Sequence, residues 1–268
     1  MTYRAIATDL DGTLLRSDRS VSSRTRDAVI GAESAGWTFV IATGRPPRWI
    51  SPVVEQLGER GLVVCANGAA VYDPERHELV ATTALDSGVV AELVDDIQSA
   101  HPGAVLGVEQ GFDFAIDEQV RSASDEMIGS WRLDGLRIGP IRDFLDRPVL
   151  KLIVRLPVPA PVGVSEQVQQ LVGERALVTH SIDESFLELS HPLVHKAATV
   201  EGLLLDAGIA ADEVVAFGDM PNDLELIRWA GLGVAVANAD ERVRHEADEV
   251  TASNDEDGVA VVIERLLG

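Results

Sequence analysis

Cysteine is nearly absent from this chain. Cys65 stands alone, so no intramolecular disulfide can form, and its place in Gly61-Leu-Val-Val-Cys65-Ala reads as a packed thiol on a buried strand, not a nucleophile. Lysine is almost as scarce: Lys151 and Lys196 are the only two, and arginine supplies the remaining positive charge. Positive charge as a whole is outnumbered, 22 Lys and Arg against 44 Asp and Glu, for a formal net charge of -22. A surface this acidic repels nucleic acid and anionic membranes, which discounts both as partners. A small anionic substrate remains compatible, provided that a local positive site or a bound cation receives it. No apolar run approaches the ~20 residues that a bilayer-spanning helix needs. Met1-Thr-Tyr-Arg-Ala-Ile carries no signal-peptide pattern, so cytoplasmic residence is the default expectation.

Several signatures are missing too. There is no Gly-x4-Gly-Lys-Ser/Thr phosphate loop. Gly231-Leu-Gly233 precedes a strand where a dinucleotide loop would follow one. His191 and His195 are four apart, as zinc ligands on a helix would be, yet Pro192 lies between them and the glutamate of that motif is absent. The Asp255-Glu-Asp257 run reads as a solvated loop before a helix.

What remains is an ordinary globular composition, 46% hydrophobic and 25% charged, in a length that suits one large domain or two small ones. Short continuous apolar runs at 5–8, 37–42 and 62–66 alternate with helical patterns at 23–35 and 47–57, which predicts a buried parallel sheet. The style then changes. A hairpin at 70–72 and 79–82, a helix at 87–100, strands within 104–116, 149–156, 176–182 and 186–190, and a helix at 165–172 predict a separate α+β unit. The first style returns with a helix at 196–207, a strand at 213–217, a helix at 223–230, a strand at 233–236 and a helix at 259–267. The expected fold class is therefore α/β: a doubly wound, mostly parallel, Rossmann-like core formed by residues 1–83 and 190–268, with an α+β domain inserted at 84–189.

Three polar stretches fall at the ends of predicted core strands: Asp9 with Asp11, Thr43-Gly44-Arg45, and Asp219 with Asn222 and Asp223. The carboxyl ends of strands in an open parallel sheet line one crevice, so these distant stretches can meet there. Carboxylates gathered at one sheet edge repel each other unless a cation sits among them, and a hard divalent ion, most simply Mg2+, suits oxygen ligands. A calcium loop is excluded, because that motif wants glycine at its sixth position and here glycine comes fourth from Asp9.

Asp9-Leu-Asp-Gly-Thr-Leu-Leu15 resembles the first motif of the haloacid dehalogenase superfamily of phosphatases. Thr43-Gly-Arg45 resembles the second motif, Lys196 the third, and Gly218-Asp-Met-Pro-Asn-Asp223 the fourth. The insertion between the second and third motifs, and Asn67-Gly68 after the third strand, are similar to the Cof-type subgroup with its large α/β cap. The resemblance implies that Asp9 is the nucleophile and that Asp11 is general acid and then base. It implies Mg2+ held by Asp9, Asp219 and the Asp11 backbone carbonyl. It implies phosphoryl contacts from the Leu10 amide, the Thr43 hydroxyl, the Gly44 amide, Asn222 and Lys196. Asp223 would orient Lys196 or a metal-bound water, and Arg45 and Asn67 would contact the substrate or support the site.

Each assignment has a plainer rival. Thr43 can merely end a strand, Arg45 can be a solvated charge, Asn222 and Asp223 can cap a helix, and Asn67-Gly68 can be a turn. Lys196 at a helix start opposes the helix dipole, which makes sense if it faces an anion. The expected activity is hydrolysis of a small phosphorylated metabolite, a sugar phosphate or a phosphorylated cofactor. A phosphomutase of the same fold and a non-enzymatic metal-dependent binding protein are the alternatives.

Overall fold

The computed structural model describes residues 3–124, 136–180 and 184–268. The chain divides into two compact units, one made of Met1–Ala81 with His195–Gly268 and the other of Thr82–Val194.

The first unit is built on an eight-stranded sheet. Its strands are β1 (Ala5–Thr8), β2 (Thr38–Ala42), β3 (Leu62–Cys65), β4 (Ala70–Asp73) and β5 (Glu78–Thr82), then β12 (Val214–Gly218), β13 (Leu232–Ala235) and β14 (Glu249–Val250). The spatial order is β14-β13-β12-β1-β2-β3-β4-β5. From β14 to β3 every pairing is parallel, and β4 turns back antiparallel to β3. The central strands are apolar on both faces because both are covered. Ala5, Ala7, Val40, Ala42, Val64, Val214 and Ala216 share one cluster with Val200 and Leu204 of α5 (Lys196–Asp206) and Leu226 of α6 (Leu224–Trp229). The alternate residues Ile6, Phe39, Ile41, Val63, Val215 and Phe217 are equally buried. Two further helices, α1 (Ser23–Ser34) and α8 (Gly258–Leu267), pack on each other. Each large aliphatic side chain sealed in this way contributes ~1.5–3 kcal/mol relative to exposure.

The second unit carries a six-stranded sheet ordered β10-β11-β9-β6-β7-β8. Its strands are β6 (Val105–Gln110), β7 (Asp113–Asp117), β8 (Arg137–Gly139), β9 (Lys151–Arg155), β10 (Leu177–His180) and β11 (Phe186–Ser190). All its pairings are antiparallel except β7 with β8. Helices α3 (Ser87–Ala100) and α4 (Val164–Val172) supply Val90, Leu93, Val94, Ile97, Val164 and Val168 to one core with Leu106, Leu152, Val154 and Leu187.

The segment expected as one helix at 47–57 is a 3-10 turn, Pro47–Trp49, followed by α2 (Ser51–Leu57). Pro52 lacks the amide that a continuous helix from 47 would need to reach the Arg48 carbonyl, and its ring crowds that carbonyl, so the helix restarts at Ser51 with the proline in its first turn. The predicted strand at 176–182 extends beyond the described residues at its end. Among the described residues, no helix is long and apolar enough to cross a membrane.

Candidate active site

Strands β12, β1 and β2 are neighbours, so the residues that follow them come to one sheet edge. Asp9 follows Thr8, and its amide donates to the Phe217 carbonyl at 2.9 Å, which ties the start of the loop to β12. Thr43 follows Ala42, with its amide donating to Val64 at 2.8 Å. Asp219 follows Gly218.

Lys196 opens α5 and is 3% exposed. Its Nζ donates to Asp9 Oδ1 and, at 2.7 Å, to Asp223 Oδ1. The other oxygen of Asp223 accepts from the Asp219 and Met220 amides at 3.1 and 3.0 Å. Asp223 is thus occupied by the protein on both oxygens and acts as the strut that fixes Lys196. This packing requires Gly218, where a Cβ would stand 2.4 Å from the Asp223 Cβ. Asp219 Oδ1 accepts from the Thr13 hydroxyl at 2.8 Å. Gly12, at φ +81°, leaves room beside it: a Cβ there would stand 2.5 Å from Asp219 Oδ2.

Oxygens of Asp9, Asp219 and Asp223 all lie within 4.8 Å of one another, and all three residues are buried. Lys196 is the one ammonium among three carboxylates, so the fully ionised cluster carries two net negative charges. The titration of these groups reflects that excess. Burial pushes the Asp9 carboxyl well above its ordinary range against the pull of Lys196, and Asp223 and Asp219 push it the same way. Burial likewise pushes Asp219 up to about 6, with the Thr13 hydroxyl pulling it down and the Asp223 charge adding to the rise. Burial pulls the Lys196 ammonium down, but the Asp9 and Asp223 charges and hydrogen bonds outweigh it and hold it above its ordinary range. A buried set of hard oxygen donors short of two positive charges fits a divalent cation such as Mg2+.

Asp11 lies apart from this cluster. Its carboxylate accepts from Arg45 Nε at 2.7 Å and from Arg45 Nη2 at 2.5 Å, a two-pronged ion pair. Thr43 is buried, and its hydroxyl oxygen accepts from the Arg45 amide at 3.1 Å. Leu10 is buried under the loop, its carbonyl taken by the Leu15 amide at 2.8 Å. Asn67 sits in the left-handed region, at φ 59° and ψ 22°, where asparagine is tolerated. Its Oδ1 accepts from Asn222 Nδ2 at 3.4 Å and would lie 3.2 Å from a Cβ on Gly44, so it links the second and fourth motif segments.

Two contributors carried no role in the sequence reading. Thr13 was legible only as part of a motif string, because its partner Asp219 lies 206 residues away in the chain. Asn238 donates from Nδ2 to the Gly12 carbonyl at 2.8 Å and accepts from the Asn254 amide at 3.0 Å. Its position just after β13, at the same sheet edge, was its one sequence clue.

The sequence profile of the haloacid dehalogenase-like hydrolases matches residues 6–263. A 5-amino-6-(5-phospho-D-ribitylamino)uracil phosphatase of Bacillus subtilis is 29% identical, covering 95% of this chain and 94% of its own. A phosphoglycolate phosphatase of Methanothermobacter thermautotrophicus is also 29% identical, covering 99% of each. Among solved structures, a haloacid dehalogenase-like hydrolase from Bacteroides thetaiotaomicron is 31% identical and superimposes with a TM-score of 0.81, covering 99% of this chain and 100% of that one.

Proposed function

This chain belongs to the haloacid dehalogenase-like hydrolase family and is a phosphatase, and from that premise we propose that it hydrolyses a small phosphomonoester through an aspartyl-phosphate on Asp9, with Mg2+ as its cofactor. The observation that carries the proposal is the cluster itself: Lys196 clamped between Asp9 and Asp223 beside Asp219, in a buried site two positive charges short of neutral. A phosphoryl dianion brings further negative charge, so such a site serves phosphoryl transfer only with a divalent ion present.

Asp9 attacks phosphorus while the leaving oxygen takes a proton from Asp11. The Lys196 ammonium, the Leu10 and Gly44 amides, the Asn222 carboxamide and the Thr43 hydroxyl receive the phosphoryl oxygens. The Thr43 oxygen already accepts from the Arg45 amide, which leaves its proton to donate. Asp11, now a carboxylate, takes a proton from water, which attacks the acyl phosphate and returns Asp9 with inorganic phosphate. Asp9, Asp219 and the Asp11 carbonyl would hold Mg2+, which when bound would neutralise charge building on the phosphoryl oxygens. Asp223 keeps Lys196 aimed, and Asn67 keeps the Gly44 and Asn222 segments together. The chemistry falls to the first unit, and the choice among leaving groups would fall to residues of Thr82–Val194.

The substrate class is a sugar phosphate or a phosphorylated cofactor, in keeping with relatives named for a ribitylaminouracil phosphate and for phosphoglycolate. The test is a panel of phosphomonoesters assayed for inorganic phosphate with and without Mg2+, on the wild type and on Asp9→Asn. We expect Mg2+-dependent release in the wild type and a loss of at least about 10³-fold in the variant, with its thermal midpoint within a few degrees of wild type. Comparable release from Asp9→Asn would sink the aspartyl-phosphate route.

A further inference from the structure

The Asp11–Arg45 pair stands outside the charge cluster, and it gives Arg45 a task. We propose that Arg45 is a positioning residue for acid–base chemistry: it aims the Asp11 carboxyl at the leaving oxygen and does not itself hold the phosphoryl group. The inference rests on the phosphatase reading above and deepens it.

Two features support it. The first is the form of the contact. Nε and Nη2 of one guanidinium meet both oxygens of one carboxylate, the planar fork that fixes orientation as well as distance. The Asp11 side chain is 53% exposed, so little else restrains its rotation, whereas that of Arg45 is 20% exposed. The second is the anchoring of Arg45. Its amide donates to the Thr43 hydroxyl oxygen at 3.1 Å and its carbonyl accepts from the Ala66 amide at 2.8 Å. Thr43 is tied in turn to β3 through its own amide and to Asn67 through its carbonyl. The fork therefore grows from a backbone fastened on both sides, and it holds a carboxylate that is otherwise loose.

Both Asp11 oxygens accept from the fork, so the carboxyl must release one of these bonds to carry a proton. The remaining bond keeps it directed. In the first step the proton moves from Asp11 to the departing alkoxide as the P–O bond breaks and the Asp9–phosphorus bond forms, which leaves Asp11 ionised and able to close both bonds again. In the second, Asp11 takes a proton from the attacking water. A guanidinium bound to the phosphoryl group would serve every ester alike; one that works through Asp11 matters most where the leaving group needs a proton.

That difference is measurable. We compare kcat/KM for 4-nitrophenyl phosphate, whose phenolate leaves without protonation, with that for glycerol phosphate, whose alkoxide does not. The proteins are wild type, Arg45→Ala, Arg45→Lys, Asp11→Asn and the Arg45→Ala/Asp11→Asn double variant. General acid catalysis contributes about 10²–10⁴-fold, so Arg45→Ala should lose at least about tenfold on glycerol phosphate and less than about threefold on the nitrophenyl ester. Arg45→Lys, which keeps the charge but not the fork, should recover only part of the loss. In the Asp11→Asn background, Arg45→Ala should cost nothing further on glycerol phosphate. Equal losses on both esters, or losses that multiply in the double variant, would assign Arg45 to direct phosphoryl binding and overturn the proposal alone. A wild type that releases phosphate from neither ester, nor from any member of the phosphomonoester panel with Mg2+, would overturn the phosphatase reading and this proposal with it.

Discussion

At the scale of single residues, the site is a set of mutual obligations around Lys196. The ammonium is buried between Asp9 and Asp223, and Asp219 stands close by without touching it. Removing the ammonium leaves carboxylates buried together, the situation in which a broken ion pair is most expensive. Lys196→Ala should therefore lose about 3–5 kcal/mol in urea denaturation at pH 7.5 without divalent ions. Lowering the pH to 5.5 should restore part of that, because the carboxylates escape mutual repulsion by binding protons, and so should Mg2+. A variant as stable as wild type under those conditions would mean that the carboxylates do not need the lysine. The same reasoning explains why one of only two lysines in the chain occupies a helix start. The two anions it serves outweigh the unfavourable end of the helix dipole, worth about 0.3–1 kcal/mol.

At the scale of elements, legibility followed burial. Strands β1, β2, β3, β12 and β13 are short unbroken apolar runs because both sides of the sheet are covered, and such runs stand out in a sequence. Helix α3 was readable to both ends, with Asp86 ahead of an apolar stripe at Val90, Leu93, Val94 and Ile97. Among the described residues, three elements escaped notice. Helix α7 (Glu241–Glu246) buries only Val243, β14 has two residues, and β8 has three, so none holds enough periods of a pattern to register. The site was legible to the level of which residues gather, since strand ends must share an edge. The pairing of Asp11 with Arg45 was not, because side-chain direction at a loop depends on dihedral angles that no spacing rule encodes. Asp86 caps α3. Its carboxylate accepts from the Gly88 and Val89 amides at 2.8 and 3.3 Å. Asp86→Ala should destabilise the protein by about 1 kcal/mol in chemical denaturation, and Asp86→Ser should recover most of it. No change on Asp86→Ala would show that water caps α3 equally well.

At the scale of the whole molecule, a net charge of -22 means that any salt relieves self-repulsion, so a rise in thermal midpoint on adding MgCl2 does not by itself report a site. The separation comes from pH. Asp219 is pushed up to about 6 in the folded state, against about 3.9 for a free aspartate, and Asp9 is shifted in the same direction. A raised carboxyl pKa means that the folded state binds more protons than the unfolded one. Both groups therefore favour folding at low pH; Asp219 withdraws that support as the pH climbs through about 6, and its full cost is present at pH 7.5. A divalent ion held by the ionised carboxylates removes the cost, and below about pH 6 it must displace a proton to do so. The midpoint shift from MgCl2, beyond that from NaCl at matched ionic strength, should be large at pH 7.5 and small at pH 5. At a hundredfold excess over its dissociation constant the ion should add about 2.7 kcal/mol. Asp219→Asn should erase the excess shift at pH 7.5 while keeping the response to NaCl. An excess that survives in Asp219→Asn, or that is the same at both pH values, would place the ion elsewhere on this acidic surface.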